Sequence, residues 1–581
     1  MPKTNDSKVA YFSMEIALEP AIPTYSGGLG ILAGDYLRSA ADLGVPIVAV
    51  TLIHRKGYFR QRLDAQGNQF EEDAVWSPEK LLEDTGARTA VEIEGRQVQV
   101  RAWRYAIRGI YGHEVSVYLL DSDLKENTPW DRTITDRLYG GDVHYRLCQE
   151  ALLGIGGVRI LRELGYQEIE SYHMNEGHAA LLALELLEER LGTPELAKAT
   201  EEDLEAVRSR CVFTTHTPVP AGHDHFSRKL MQQVLGVQRT RVLEVTHCCP
   251  EDSLNMTYLA LKFSRYINGV AMHHGEISQE MFPNYPIRAI TNGVHAVTWT
   301  APAFHELYDR HIPEWRLDNL YLRYVRGISL DEIQLAHASA KCALLQEIRK
   351  RTQVELNEKA FTIGFARRTA TYKRPELFFT DPQRLRRLAE QHGPLQFVFG
   401  GKAHPQDENG KELIRKVIDM AGHLKDAIRF VYVQDYDMRW AQLITSGVDL
   451  WLNTPQRPQE ASGTSGMKAA LNGVPSLSVL DGWWIEGHVE GATGWAIGTD
   501  TDPTADPSAE SASLYDKLEQ TILPMFYGRP LAFAEVMRST IALNGSFFNT
   551  QRMISQYVAN AYFPEKEKIP AGQPSRVQAA S

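Results

Sequence analysis

The residues best suited to chemistry lie between 459 and 473, QEASGTSGMKAALNG, where a predicted strand leads into a predicted helix. Lys468 lies one helical turn inside, where its amine can reach a bound anion or bond covalently to a phosphate-bearing aldehyde cofactor. The same letters also fit a small-residue turn with an exposed lysine, so this segment alone leaves both interpretations open. The anion would be held by backbone N–H groups at the helix start, which belong to Ser462, Gly463, Thr464, Ser465 and Gly466.

A second segment, GFARRTATYKR at 364–374, collects four cations just after a predicted strand: Arg367, Arg368, Lys373 and Arg374. Guanidinium groups bind phosphate through two parallel hydrogen bonds, and lysine acts as a point charge. The segment therefore predicts a site for one or two phosphates. A solvated basic loop is an equally good interpretation of the charges alone.

A third segment, TYSGGLGILAGDYL at 24–37, is a glycine-rich turn that enters a helix after the first strand. Gly27, Gly28 and Gly30 let the backbone approach an anion closely, although a tight turn without a ligand needs similar glycines. Polar residues also follow two other predicted strands. They are His216 on one and Asn175, Glu176 and His178 on the other.

The composition limits the classes of function. A length of 581 residues requires at least two domains, and the 43% apolar content is typical of globular chains. A net charge of −11 without a basic face argues against nucleic acid as a partner, and no apolar run is long enough for a membrane helix. Five scattered cysteines and no signal peptide predict a cytoplasmic protein. The spacing of His247, Cys248 and Cys249 matches zinc sites poorly, so we predict no metal.

Short buried strands alternate with helices in both halves, a pattern typical of two doubly wound α/β domains. The alternation at 85–121, with Gly95 at a turn, predicts an antiparallel β-rich insertion. We place the domains at 1–291 and 331–564, with a connection at 292–330, a last helical part that returns to the first domain, and a disordered tail at 565–581. The predicted strands are 9–14, 45–54, 169–174, 211–216, 361–366, 395–401, 428–433, 448–453 and 475–482.

Taken in order, these motifs resemble those of the glycogen and starch phosphorylases. EASGTSGMK is similar to their pyridoxal phosphate attachment segment, and the matches run from residue 24 to 482. The resemblance implies a GT-B type α/β fold, in which two Rossmann-like domains face a central cleft, as in the compact microbial branch. It implies pyridoxal 5'-phosphate as cofactor and phosphorolysis of an α-1,4-glucan (glycogen, starch or maltodextrin) by inorganic phosphate to glucose 1-phosphate. It also implies a homodimer.

The resemblance assigns roles residue by residue. Lys468 carries the cofactor, Arg368 and Lys373 hold the substrate phosphate, and His216 places its ring near the sugar and its carbonyl toward the anomeric carbon. Cofactor contacts fall to Thr464, Ser465, Arg367, Tyr436 and Trp299. Substrate contacts fall to Gly27, Gly28, Asn292, Tyr372, Glu460, Ser462 and Gly463. The chain departs from the family pattern at Ala370, where histidine is common, and at Ser465-Gly466, where the family has Gly-Asn.

Two alternatives differ from this interpretation. A nucleotide-sugar-dependent glucan synthase of the same architecture would have a second carboxylate eight positions after Glu460, and that position is Lys468. A lysine cannot accept hydrogen bonds from ribose hydroxyls, but it can carry an aldehyde cofactor. A non-catalytic carbohydrate-binding protein would not need four cations beside a lysine-bearing anion loop.

Overall fold

The structure is a computed structural model that describes residues 6–219, 223–246, 253–498 and 506–563. The predicted tail at 565–581 and the triplet His247-Cys248-Cys249 lie outside the described residues. Within the described ranges, none of the helices is both long enough and apolar enough to cross a membrane.

Strands occur in both halves, at or near each of the positions that the sequence predicts. The first half contains β1 (Val9–Ser13), β2 (Ile47–Leu52), β3 (Arg60–Leu63), β4 (Gln69–Glu72), β5 (Glu83–Ile93), β6 (Arg96–Arg108), β7 (Glu114–Asp121), β8 (Ser171–Asn175), β9 (Cys211–Thr214), β10 (His225–Ser227), β11 (Ser253–Asn255), β12 (Tyr266–Gly269) and β13 (Ile287–Ala289). The second half contains β14 (Phe361–Ala366), β15 (Leu395–Gly400), β16 (Ile428–Val433), β17 (Leu450–Asn453), β18 (Ser476–Val479) and β19 (Gly494–Ile497).

Helices connect and cover these strands. They are α1 (Gly28–Asp42), α2 (Pro78–Leu81), α3 (Val143–Ala151), α4 (Gly157–Glu163), α5 (Leu182–Leu191), α6 (Glu201–Arg208), α7 (Arg228–Leu235), α8 (Val237–Val245), α9 (Met256–Lys262), α10 (Met272–Met281), α11 (Ala296–Trp299) and α12 (Pro302–His311). The chain continues with α13 (Leu330–Thr352), α14 (Pro382–His392), α15 (Glu408–Gly422), α16 (Met438–Gly447), α17 (Ser465–Ala470), α18 (Trp484–Gly487), α19 (Pro507–Lys517), α20 (Leu523–Gly528), α21 (Pro530–Thr540) and α22 (Thr550–Tyr557).

The first sheet has the strand order β13-β12-β9-β8-β1-β2-β7-β6-β5. Its central strands pair in parallel and are buried along their whole length, as expected for strands that helices cover on both faces. The alternating segment near 85–121 forms the antiparallel strands β5, β6 and β7, with Gly95 at φ +72° in the turn. These strands extend the main sheet, because β7 pairs in parallel with β2. The segment is therefore an edge of that sheet, and no separate layer forms.

The second sheet has the parallel order β16-β15-β14-β17-β18-β19. Strand order reverses between β1 and β8 in the first sheet, and between β14 and β17 in the second. Helices leave the sheet on opposite faces at such a point, so a crevice opens at the carboxyl ends of the two strands, and ligands bind there. The residues that follow β1, β8, β14 and β17 therefore occupy the best-placed positions for a site.

The last helices pack against the first sheet. In α22, the Thr550 hydroxyl lies 2.6 Å from that of Ser39 in α1, and the Tyr557 hydroxyl lies 3.0 Å from the Thr214 hydroxyl at the end of β9. The chain thus passes from the first sheet to the second, and the last described helices pack back on the first.

A buried ionic group anchors the second sheet. Asp449 accepts hydrogen bonds from Lys341 at 2.6 Å and from the Thr362 N–H at 2.7 Å, and it lies 2.9 Å from the His337 ring. Burial alone would raise the pKa of Asp449, but the charge of Lys341 and the contact with His337 lower it below its usual value. A charge in this position is stable only while its partner remains.

Replacing Asp449 with Ala would leave the buried ammonium of Lys341 without a counter-charge, so we expect a loss of about 3–5 kcal/mol in the free energy of unfolding. Urea unfolding measures this loss. The matched control is Glu412→Ala, which removes the exposed ion pair with Arg415 and is expected to cost less than about 1 kcal/mol. Equal losses in the two variants would contradict this role for Asp449.

Candidate active site

Lys468 lies in the middle of the short helix α17 and is only 6% exposed. Its Nζ atom is 3.9 Å from the centre of the Trp299 ring, whose Nε1–H donates to Asp35 at 2.6 Å. Burial lowers the pKa of Lys468 to about 8, with a smaller opposing effect from the charge of Asp35. Among the described residues, its ammonium forms no ion pair. This is the environment of an amine that is partly uncharged, and therefore nucleophilic, near neutral pH.

The loop before α17 holds polar groups that the protein leaves unused. The Ser462 hydroxyl is buried and has no hydrogen-bond partner among the described residues. Gly463 has φ +79°, where a side chain is strained, and an added Cβ would lie 3.2 Å from the side chain of Glu460. The Ser465 hydroxyl, by contrast, has a partner, because it accepts the indole N–H of Trp451 at 3.1 Å. The loop thus offers a tight backbone turn and, among the described residues, one unpaired hydroxyl on Ser462.

The cation segment starts directly after β14 and meets this loop at Glu460. Arg367 donates to the Glu460 carboxylate at 2.7 Å, and Lys373 donates to the same oxygen at 2.5 Å. Burial alone would raise the pKa of Glu460, but the charges of Arg367 and Lys373 lower it to about 2. Two largely buried positive charges share one negative charge. The Nε–H of Arg367 is also buried without a partner among the described residues.

Arg368 and Tyr372 lie on the open side of this group. Arg368 is exposed, in contrast to its buried neighbour Lys373. The Lys373 ammonium is 4.3 Å from the centre of the Tyr372 ring. Burial would raise the pKa of Tyr372, but Lys373 and Arg368 lower it. The local field is therefore positive, which favours an anion at this position.

The glycine turn precedes α1 and is held by the carboxylate of Glu15. Glu15 is buried two residues beyond β1, and it accepts the N–H groups of Ser26 at 2.5 Å and Gly27 at 3.2 Å. Gly28 is exposed, and an added Cβ there would meet nothing within 4 Å. The N–H of Gly27 is therefore directed inward, and Gly28 is the part of the turn that faces open space.

Two further candidates lie at the carboxyl edge of the first sheet. The His216 N–H donates to Glu176 at 2.8 Å, and its Nε2 lies 2.7 Å from Asn175 Oδ1. Burial, reinforced by neighbouring histidines, lowers the pKa of His216 to about 3, so the ring is neutral. Glu176 has φ +73°, a strained conformation for a residue other than glycine. Asn292 is buried, and its N–H donates to the carbonyl of Val270 at 2.9 Å.

The glycine turn contacts the second half of the chain. The Tyr25 hydroxyl accepts the N–H of Met438 at 2.9 Å, which joins the glycine turn to the second sheet next to Tyr436. Burial raises the pKa of Tyr58, while a hydrogen bond to Ser26 and the charge of Arg368 lower it, so Tyr58 lies between the turn and the cations. A cavity of about 260 Å³ adjoins this contact, and Tyr58, Tyr139 and His404 contribute to its walls.

Reasoning from the sequence missed four residues of this site. Glu15 supports the glycine turn, Asp35 holds Trp299, Asn453 accepts a hydrogen bond from Arg367 at 2.8 Å, and Asp481 accepts the N–H of Glu460 at 2.9 Å. Glu15, Asn453 and Asp481 lie at or just beyond the ends of β1, β17 and β18. Polar residues at the ends of buried strands were therefore the available signal.

The chain is similar to known proteins over most of its length. A family model described as "Carbohydrate phosphorylase" matches residues 236–498. The chain is 38% identical to the maltodextrin phosphorylase of Thermococcus litoralis, in an alignment that covers 96% of this chain and 70% of that protein. It is 38% identical to a glycogen phosphorylase of Mycobacterium tuberculosis, with 97% and 71% covered. It is 33% identical to a glycogen phosphorylase of Aquifex aeolicus, with 96% and 86% covered.

The lowered pKa of Lys468 predicts unusual reactivity toward amine reagents. In protein freed of any covalently bound aldehyde, labelling of Lys468 should rise with a midpoint near pH 8, because only the uncharged amine reacts. A free lysine derivative, Nα-acetyl-lysine, added to the same reaction should follow the ordinary lysine value of ~10.4. Competitive labelling followed by mass spectrometry measures both. Identical midpoints for Lys468 and the free derivative would contradict the buried environment of Lys468.

Proposed function

This chain belongs to the carbohydrate phosphorylase family, and we propose that it catalyses the reversible phosphorolysis of α-1,4-glucans at their non-reducing ends. Inorganic phosphate is the second substrate, and α-D-glucose 1-phosphate is the product, formed with retention. The observation that carries the proposal is the surplus of buried positive charge. Arg367 and Lys373 share the single carboxylate of Glu460, in the loop that leads to Lys468.

Pyridoxal phosphate is the cofactor of this family, and the residues around Lys468 fit it. The Trp299 ring offers a flat apolar surface beside the amine. The Ser462 hydroxyl and the Arg367 Nε–H, which have no partner in the described part of the chain, offer donors to a phosphate. When bound, the cofactor supplies a phosphate group that titrates near pH ~6. We assign the covalent attachment to Lys468 and the other cofactor contacts to Thr464, Ser465, Arg367, Tyr436 and Trp299.

We assign the substrate phosphate to Arg368 and Lys373 on one side and to the glycine turn on the other. Arg368 is exposed, its charge acts on Tyr58 of the first half, and its guanidinium can bind two phosphate oxygens at once. In the turn, we assign the phosphate contact to the backbone of Gly28, because the N–H of Gly27 already donates to Glu15. These groups reach the anion from both sheets.

The glucosyl unit is assigned to groups around the same space. Glu460 and Tyr372 are hydroxyl-binding residues that already lie beside the cations, and Asn292 contributes from the first sheet. Ser462 and Gly463 contribute the turn before α17. The carbonyl of His216 is assigned to the anomeric carbon, because Glu176 and Asn175 fix the residue through its N–H and its ring.

The pKa values indicate where the catalytic proton comes from. Glu460, with a pKa of about 2, remains a carboxylate at neutral pH and cannot donate a proton. His216, with a pKa of about 3, is already neutral. A phosphate loses its second proton near pH ~6, so the substrate phosphate is the better acid toward the glycosidic oxygen. Arg368 and Lys373 stabilise its charge as the chain end leaves, and the phosphate then captures the sugar on the same face.

We propose a GT-B arrangement for the two halves, with domains at 1–291 and 331–564 and the final helices returning to the first domain. The strand reversals in the two sheets support it, because the candidate residues follow β1, β8, β14 and β17. The last helical segment also contacts the first sheet through Thr550 and Tyr557.

The cavity beside Tyr58 suits the leaving glucan chain. Aromatic rings, here those of Tyr58 and Phe59, pack against the apolar faces of sugars. Glu71, Glu72 and Asp73 also line the cavity. Carboxylates accept hydrogen bonds from sugar hydroxyls but repel phosphate, so this cavity is assigned to the glucan.

Lys468→Ala tests the proposal, because it removes the attachment point of the cofactor. We expect the variant to lose the visible absorbance of bound pyridoxal phosphate. Its rate of glucose 1-phosphate release should fall by at least about a thousandfold. Lys416→Ala, at an exposed position, should keep both. Phosphorolysis at the wild-type rate by Lys468→Ala would refute the cofactor assignment.

A further inference from the structure

A partly buried charged group with no role in the proposed function lies near the glycine turn. We call it the Arg146 cluster, and it comprises Arg146, Glu150, His178 and Asp224. The Arg146 guanidinium donates to Glu150 and Asp224, at 3.2 Å in each case, and His178 Nδ1 lies 2.9 Å from Asp224. The two carboxylates hold Arg146 in a fixed position, because an unpaired buried charge is costly.

Tyr139 connects this cluster to Glu15. The Arg146 guanidinium lies 4.4 Å from the centre of the Tyr139 ring, in cation–π contact, and the ring also makes an edge contact with His178. The Tyr139 hydroxyl donates to Glu15 Oε1 at 3.0 Å. Tyr139 has φ +54°, so its surroundings hold it in a backbone conformation that tyrosine rarely adopts.

Glu15 connects Tyr139 to the glycine turn. One of its oxygens accepts the Tyr139 hydroxyl, and the other accepts the N–H groups of Ser26 and Gly27. The fit is close, because a Cβ added at Gly30 would lie 2.7 Å from Glu15 Oε2. The orientation of one carboxylate therefore determines how the turn presents Gly28.

We propose that Tyr139 is a positioning residue for phosphate binding: its hydroxyl orients Glu15, and Glu15 sets the conformation of the glycine turn. The Arg146 cluster holds the Tyr139 ring in place. This inference rests on the proposed function, because there the turn contacts inorganic phosphate. Without the hydroxyl, one Glu15 oxygen lacks its donor, the carboxylate can rotate, and the turn N–H groups lose a fixed acceptor.

Tyr139→Phe tests the inference, because it keeps the ring over Arg146 and removes only the hydroxyl. In the holoenzyme, the KM for inorganic phosphate should rise about five- to tenfold, while kcat and the KM for a linear maltodextrin change less than about twofold. Glu15→Gln tests the same connection from the other side, and it should also raise the phosphate KM. A rise in the maltodextrin KM alone would overturn the proposal and make Tyr139 a direct glucan contact.

Tyr166→Phe is the matched control. Tyr166 lies buried in the first half, in the loop before β8, where its hydroxyl is 3.1 Å from that of Tyr118. This variant should lower the thermal unfolding midpoint about as much as Tyr139→Phe does, and it should leave both KM values unchanged. An unchanged phosphate KM in Tyr139→Phe and in Glu15→Gln, with active wild-type enzyme, would overturn the positioning role alone. Wild-type protein that releases no glucose 1-phosphate would instead overturn the proposed function.

Discussion

A buried carboxylate shared by two cations is the interaction on which the rest of the site depends. Glu460 lies between Arg367 and Lys373, and burial makes each of these charges costly unless it is compensated. One negative charge against two positive charges leaves the group with a net positive charge. An anion such as phosphate would balance that charge, and the exposed Arg368 lies on the open side of the group. The second sheet brings these residues together, because they follow its adjacent strands β14 and β17.

Much of this arrangement could be predicted from the sequence, because the signals are local. The strands predicted at 361–366 and 428–433 have those bounds in the structure, since short runs rich in β-branched and aromatic residues mark strands. Lys468 could be placed one turn inside a helix because small residues precede it. The family prediction is confirmed by relatives that are 33–38% identical over nearly the whole chain. The contact between Lys468 and Trp299 joins residues that the family resemblance assigned to one cofactor.

What could not be predicted depends on contacts between distant parts of the chain. Glu15 and Gly27 are close in sequence, but the residue types alone do not show that the Glu15 carboxylate accepts the Gly27 N–H. Tyr139 reaches Glu15 across 124 residues. Alternating polar and apolar residues at 85–121 predict antiparallel strands. The alternation does not show which strand of the main sheet these strands will pair with. Pairing between β7 and β2 decides that question.

The most direct test of the central claim is phosphorus NMR of the purified protein incubated with a linear α-1,4-glucan and inorganic phosphate. The predicted result is the signal of α-D-glucose 1-phosphate, growing as the inorganic phosphate signal falls. In the reverse direction, glucose 1-phosphate should extend the glucan and release phosphate. Glucan extension that requires a nucleotide-glucose donor, with no glucose 1-phosphate formed from glucan and phosphate, would contradict the account.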